Sequence, residues 1–227
     1  GGVVNIKTRR PSQSLTTLEL GAFSQDYNRL LTNENYEGYR AYVAHEDKVG
    51  SLGYSVSYTR LDNESQPQTQ FFRRPDSGSS STAFANSDSI PSGNDTKGLG
   101  GIYFGDSGPE NAKTDLVKAK FFYDREYAEY LRSIAYEQRS RRENQANNLL
   151  SDANGAPIFD REVDINGFNY DTSNFGTSAL QTRDQQRESL LIGLGASFDL
   201  TNDWAADVFY SYFDVLEDTK IRSGANP

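Results

Sequence analysis

Residues Leu52 to Leu61 read LGYSVSYTRL and repeat with a period of two. Leu52, Tyr54, Val56 and Tyr58 fall on one side, Gly53, Ser55, Ser57 and Thr59 on the other. A helix returns to one face every three to four residues and gains nothing from this pattern. A β-strand turns successive side chains to opposite faces, so the segment reads as a strand with one apolar and one small or polar face. The same alternation recurs along the chain. Leu15 to Phe23 sets Leu18, Leu20 and Ala22 against Thr17, Glu19, Gly21 and Phe23, and Tyr36 to Glu46 sets Tyr39, Ala41 and Val43 against Arg40, Tyr42 and Glu46. Leu116 to Tyr123 opposes Val117, Ala119, Phe121 and Tyr123 to Lys118, Lys120 and Phe122. Leu190 to Asp199 opposes Leu190, Ile192, Leu194, Ala196 and Phe198 to Gly193, Gly195, Ser197 and Asp199. After Trp204, residues Ala206, Val208, Tyr210 and Tyr212 face away from Asp207, Phe209 and Ser211. Tyr127 to Gln138 also reads as a strand, but its phase stays open, because Tyr130, Ile134 and Tyr136 share a side with Arg132. The composition of residues 115–148 suits a helix as well; its Tyr and Phe density and its period of two favour strands.

The connections alternate in length. Ser24 to Asn35 reads as a moderate polar turn, Asp47 to Gly50 as a short one, and Asn63 to Thr114 as a long loop rich in Ser, Gly, Asn and Asp. Asp124 to Glu126 is short, Ser140 to Asp184 long, Leu200 to Asp203 short, and Glu217 to Pro227 opens a further loop. A structureless loop of about 50 residues is foreign to a compact water-soluble domain. Short turns on one rim and long loops on the other are the habit of an antiparallel up-and-down meander in a transmembrane β-barrel. A β-sandwich is the competing all-β architecture. The mean hydropathy of −0.73 does not weigh against a membrane barrel, whose strands turn only every second residue to lipid.

The first eleven residues, Gly1-Gly2-Val3-Val4-Asn5-Ile6-Lys7-Thr8-Arg9-Arg10-Pro11, alternate briefly and stop at a proline, which has no N–H for a ladder. These letters resemble the last strand of the plug domain of TonB-dependent outer-membrane receptors. The block from Tyr39 to Asp62 resembles the second and third barrel strands of the same family. The resemblance implies the end of a plug at 1–11 and the N-terminal part of a transmembrane barrel at 12–227, with extracellular loops at 63–114 and 140–184. It implies residence in the bacterial outer membrane, contact with its lipid, and energised import of a scarce ligand, most often a ferric siderophore. It also implies a TonB complex that engages a region N-terminal to Gly1. The chain is therefore expected to be an internal piece of a longer protein, carrying the end of the plug and about seven strands of a larger barrel. Cobalamin or an oligosaccharide is the alternative ligand, and a passive porin-like channel the alternative function.

Catalysis has little to stand on. There is no Cys and a single histidine, His45, which lies beside Glu46 and Asp47 at a strand end and reads as a solvated residue. No phosphate-binding glycine loop or nucleophile motif occurs. Asp152, Asn154 and Gly155 faintly resemble a calcium loop, but turn chemistry accounts for them better. No cofactor and no enzyme activity are expected. A net charge of −9 argues against nucleic acid as a partner.

The most pointed cluster is Phe71-Phe72-Arg73-Arg74. Aromatic rings beside arginines hold an anionic aromatic ligand by stacking and forked hydrogen bonds, or they anchor one loop on another. The same two readings apply to Tyr103. Arg40, Lys118 and Lys120, on the polar sides of their strands, extend a positive path beneath the cluster. The ligand-contacting set is thus Phe71, Arg73, Arg74, Tyr103, Arg40, Lys118 and Lys120.

Overall fold

The structure is a computed structural model. It describes residues 10–30, 32–74, 92–94, 100–125, 128–152, 154–158, 161–165, 168–173, 180–201 and 204–223. The plug-like residues 1–9 lie outside them. The fold is all-β, with no helix among the described residues. The strands are β1 Leu15–Arg29, β2 Thr32–Val49, β3 Leu52–Ser65, β4 Gln70–Arg73, β5 Ser92–Asn94, β6 Gly100–Asp106 and β7 Glu110–Arg125. They continue with β8 Ala128–Asn144, β9 Asn147–Asn148, β10 Glu162–Ile165, β11 Phe168–Asp171, β12 Thr182–Asp199 and β13 Ala205–Ser223. Seven long strands form one antiparallel meander in the order β1-β2-β3-β7-β8-β12-β13.

These strands overrun the apolar segments that announce them. The stretch 24–35, read above as a turn, continues both strands of a hairpin until Arg29 pairs with Thr32. The stretch 217–223, read as a loop, is paired to Ser223. The ladder is made of backbone N–H and C=O groups, so polar side chains do not end it; only an obstacle such as proline or a turn does. At the opposite end of β2, Val49 pairs with Leu52, and Gly50 takes φ 61° at the first position of the two-residue turn. A primed hairpin turn asks for that conformation, which glycine adopts without steric cost.

The register settles which residues share a face, since directly paired residues of antiparallel strands project to the same side. Leu18 pairs with Val43, Val43 with Tyr58, and Tyr58 with Val117. Farther along, Ile192 pairs with Tyr212 and Leu194 with Tyr210. The apolar sides of all the alternating segments therefore merge into one apolar face. In β8, Arg132 pairs with Phe122 and Gly195, which resolves the open phase: its register is that of the polar face.

The two long polar stretches are not structureless, contrary to the sequence expectation. The first gives up its ends to β3 and β7 and contains β4, β5 and β6; the second contains β9, β10 and β11. Strand β6 pairs with β4, with β5 and, across to the other stretch, with β9. Ile102 and Phe104 of the first stretch pack with Leu150, Ile158, Val163, Ile165, Tyr170 and Leu180 of the second in one buried cluster. The two loops thus share one hydrophobic core, here called the loop body.

Candidate ligand-facing site

Two groups of residues hold the sequence candidates, one in the loop body and one on the polar face of the sheet. In the loop body, Phe71 stacks on Phe104 with ring centroids 5.9 Å apart and packs against the buried cluster. Phe72 tilts against Tyr103 at 5.5 Å. Tyr103 itself is 2% exposed, and its hydroxyl donates to Asp106. Burial and then the Asp106 carboxylate push that phenol well above its ordinary value, so it stays protonated as a donor. Asp106 also accepts from the Gly108 N–H at 2.7 Å and the Asn147 amide at 2.9 Å. Gly108 has φ 70°, and a Cβ there would come within 1.7 Å of the Gln145 carbonyl oxygen, so this junction admits only glycine. Phe71 and Tyr103 thus sit where loop anchors sit.

The arginines lie closer to the surface. Arg73 reaches Asp171 of the second loop at 3.7 Å, tying β4 to β11. Arg74 is exposed. A depression of about 360 Å³ opens beside the anchor, lined by Thr32, Tyr103, Asp106, Gln145, Asn147 and Leu180 among others. The loop body leans on the polar face at the far end of β1 and β2. Gln70 donates to the Tyr27 hydroxyl at 2.7 Å, Gln25 to Gln66 at 2.6 Å, and Tyr27 meets Tyr36 with centroids 6.2 Å apart.

Arg40, Lys118 and Lys120 all stand on that same polar face, since Arg40 pairs with Leu61, Leu61 with Thr114, and Lys118 and Lys120 with Ser57 and Ser55. Two strand spacings and four residues of rise separate Arg40 from Lys118, roughly 16 Å. The structure therefore gathers the three cations on one wall but does not bring them to the Phe71–Arg74 cluster. Near the other end of this wall, Pro11 is buried, with its Cδ and the Phe122 Cβ both close to Gly53.

Sequence reasoning missed Asp106, Asn147, Tyr36 and Asp171. The only local sign was the turn-forming run Asp106-Ser107-Gly108-Pro109. Among the minor candidates, His45 contacts Thr16 Oγ1 at 3.0 Å and the Tyr54 hydroxyl at 3.3 Å. Asp152 accepts from the backbone N–H of Asn154 and Ala156 at 2.9 and 3.0 Å, an Asx turn. No cluster with metal-ligand composition occurs among the described residues.

No family model matches this chain, and no curated protein or solved structure matches it either.

Proposed function

We propose that the chain is part of a bacterial outer-membrane receptor that imports a scarce ligand, a ferric siderophore foremost, by TonB-dependent active transport. The observation that carries the membrane part is the bare apolar face. Leu18, Leu20, Val43, Val56, Val117, Phe121, Leu194, Val208 and Tyr210 lie on it, each 42% exposed or more. The polar face, by contrast, receives both the loop body and Pro11. A contiguous apolar surface of this extent needs a cover, and lipid is the cover a meander of this kind takes.

The direction of the apolar band supports the same reading. It centres on Leu20 in β1. The ladder from Leu20 runs through Ala41, Arg60, Asp115, Arg139 and Glu188 to Glu217. The band on β13 centres about eight residues away, near Val208 and Tyr210. Eight residues of rise against six strand spacings is a slant of about 40°, within the tilt of strands that cross a membrane as a barrel. The opening segment, which resembles a plug's last strand, supports the TonB-dependent part. Its end, Pro11, lies on the polar face, where a plugged lumen would place it.

The test uses the full-length receptor in its own host. Deleting the gene should abolish uptake of radiolabelled iron carried by siderophores from the culture medium. Restoring it should recover uptake only while TonB is present and the membrane is energised. Uptake that persists without TonB would assign a passive channel instead. Arg74→Ala should then weaken ligand binding by roughly 1–3 kcal/mol if it donates a charge-assisted hydrogen bond. Arg73→Ala would in addition remove the link to Asp171.

A further inference from the structure

The two faces of the sheet treat their cations differently. On the apolar face, beyond the apolar band, Arg60 pairs with Asp115 at 2.9 Å and Lys113 with Asp62 at 3.7 Å. Arg139 pairs with Glu188 at 3.4 Å and Arg141 with Asp184 at 3.1 Å. Each of these four is neutralised by a carboxylate on a neighbouring strand. The polar face carries, among other cations, Arg40, Lys118, Lys120 and, paired with Ala112 and Gln185, Arg142. None of these four has a carboxylate within ion-pair distance among the described residues. Glu19, Glu46 and Glu110 are among the carboxylates on that face; none forms an ion pair with these four, although Glu46 lies near enough to act on the charge of Lys120.

Composition does not produce this contrast. The chain carries nine more negative than positive charges, so carboxylates are plentiful. Lys118 and Lys120 are next neighbours on one side of one strand, where like charges repel. Both are half-buried, whereas Arg40 and Arg142 are exposed. Such an arrangement weakens the isolated sheet and strengthens it only when an anion is present.

We infer that the polar face of this sheet is the wall of an anion path: a multiply negatively charged small molecule contacts Arg142 and Arg40 in turn near the loop end and Lys118 and Lys120 farther in. This rests on the receptor reading, which makes the polar face the lumen wall, and it narrows the ligand class within that reading. A neutral cobalamin-like or oligosaccharide ligand has no use for unpaired cations. A polycarboxylate or a deprotonated catecholate complex does, because each oxygen pair takes a Lys or a forked Arg. The roughly 16 Å between Arg40 and Lys118, and a similar span between Arg40 and Arg142, make the contacts successive along the path, since a small ligand does not span them at once.

The test is titration of the purified full-length receptor with inositol hexakisphosphate as a small polyanion and spermine as a polycation. The polyanion should bind, with affinity falling as salt rises. At least one of the double variants Lys118→Gln with Lys120→Gln and Arg40→Gln with Arg142→Gln, the one at the station the bound polyanion occupies, should weaken it about tenfold or more, the loss of one charge-assisted contact. Lys113→Gln, on the paired outer side, should leave it unchanged. Equal binding of spermine, or unchanged affinity in both double variants, overturns the inference. Variants that lower thermal stability while keeping full affinity also overturn it, and assign the cations to contact with another part of the protein. Fractionation of the wild-type receptor separates this from the parent reading: absence from the outer membrane sinks that reading whatever the titration gives.

Discussion

The seven-stranded sheet and the loop body solve the problem of apolar surface in opposite ways. The loop body is built from short strands in a Ser-, Gly- and Asn-rich sequence, yet it buries Leu150, Ile158, Val163 and Leu180 to 1% exposure or less. The sheet is built from long and strongly patterned strands, yet it leaves Leu20, Val208 and Tyr210 more than half exposed. Regularity of pattern therefore does not measure how much core a segment makes. Alternation says only that one side of a strand differs from the other. Whether the apolar side is covered by protein or by something else is decided by which other segments fold over it, and here they fold over the polar side.

The sharpest way to break the comparison is to take away what covers the sheet. Strand β1 pairs only with β2, and β13 only with β12, among the described residues. The chain alone thus offers a bare apolar face and two unpaired strand edges, both aggregation hazards. We predict that this 227-residue segment, expressed by itself, aggregates in aqueous buffer and gives no monomeric heat-modifiable band in detergent. A monodisperse monomer in water, with intact strand content, would contradict the lipid-facing assignment outright.

Smaller effects separate the two regions residue by residue. Leu180 is fully enclosed in the loop core, so Leu180→Ala in the full receptor should cost about 2–5 kcal/mol of loop-body stability through lost contacts and a residual cavity. With lipid over the sheet, as proposed, the same truncation at Leu194, 46% exposed, should cost much less, because lipid would fill the space. A charge reverses the balance: Leu194→Arg near the membrane midplane should cost about 2–4 kcal/mol. Denaturant unfolding in bilayers, read at the loops by proteolysis and at the barrel by heat modifiability, measures each. A Leu194→Ala as costly as Leu180→Ala would place protein, not lipid, over the sheet.

The sheet was legible in the sequence and the loop body was not, for one physical reason. Strand faces are encoded locally, as in Leu52-Gly53-Tyr54-Ser55-Val56, so seven strands, and the faces of six of them, are legible segment by segment. The loop core is encoded by residues far apart, Ile102 and Phe104 against Leu180, separated by turn formers that look like solvent-exposed chain. Even so, Phe71 and Tyr103 drew notice as aromatics in a polar loop, and the structure puts both on or beside that core. The strand ends at 24–35 and 217–223 are not legible, because their polar residues have a turn's composition yet hold a ladder as well as apolar ones. The phase of Tyr127 to Gln138 could not be read alone, and its two neighbours fixed it.

The smallest expected effect tests whether the two loops are held together at their surface as well as in their core. Asp171 accepts the Ser173 N–H at 2.8 Å and faces Arg73 across the loop junction at 3.7 Å. The Ser173 hydrogen bonds first, and the Arg73 charge after them, hold its carboxyl below the ordinary value of 3.8. A carboxylate depressed in the folded state adds stability that is fully present above its unfolded pKa. That stability is lost as pH falls through the folded one, because the unfolded chain then binds the proton more readily. The window thus opens near pH 4 and closes below it. Both partners are more than a third exposed, so solvent screening keeps the contribution below about 1 kcal/mol. Hydrogen exchange of Gln70–Arg73 and Phe168–Asp171, corrected for the intrinsic rate, should quicken slightly as pH drops below about 4. The step should vanish in Asp171→Asn while the exchange of Leu180 stays slow. An identical step in that variant would show that acid loosens the loops elsewhere and that Arg73 and Asp171 meet without holding them.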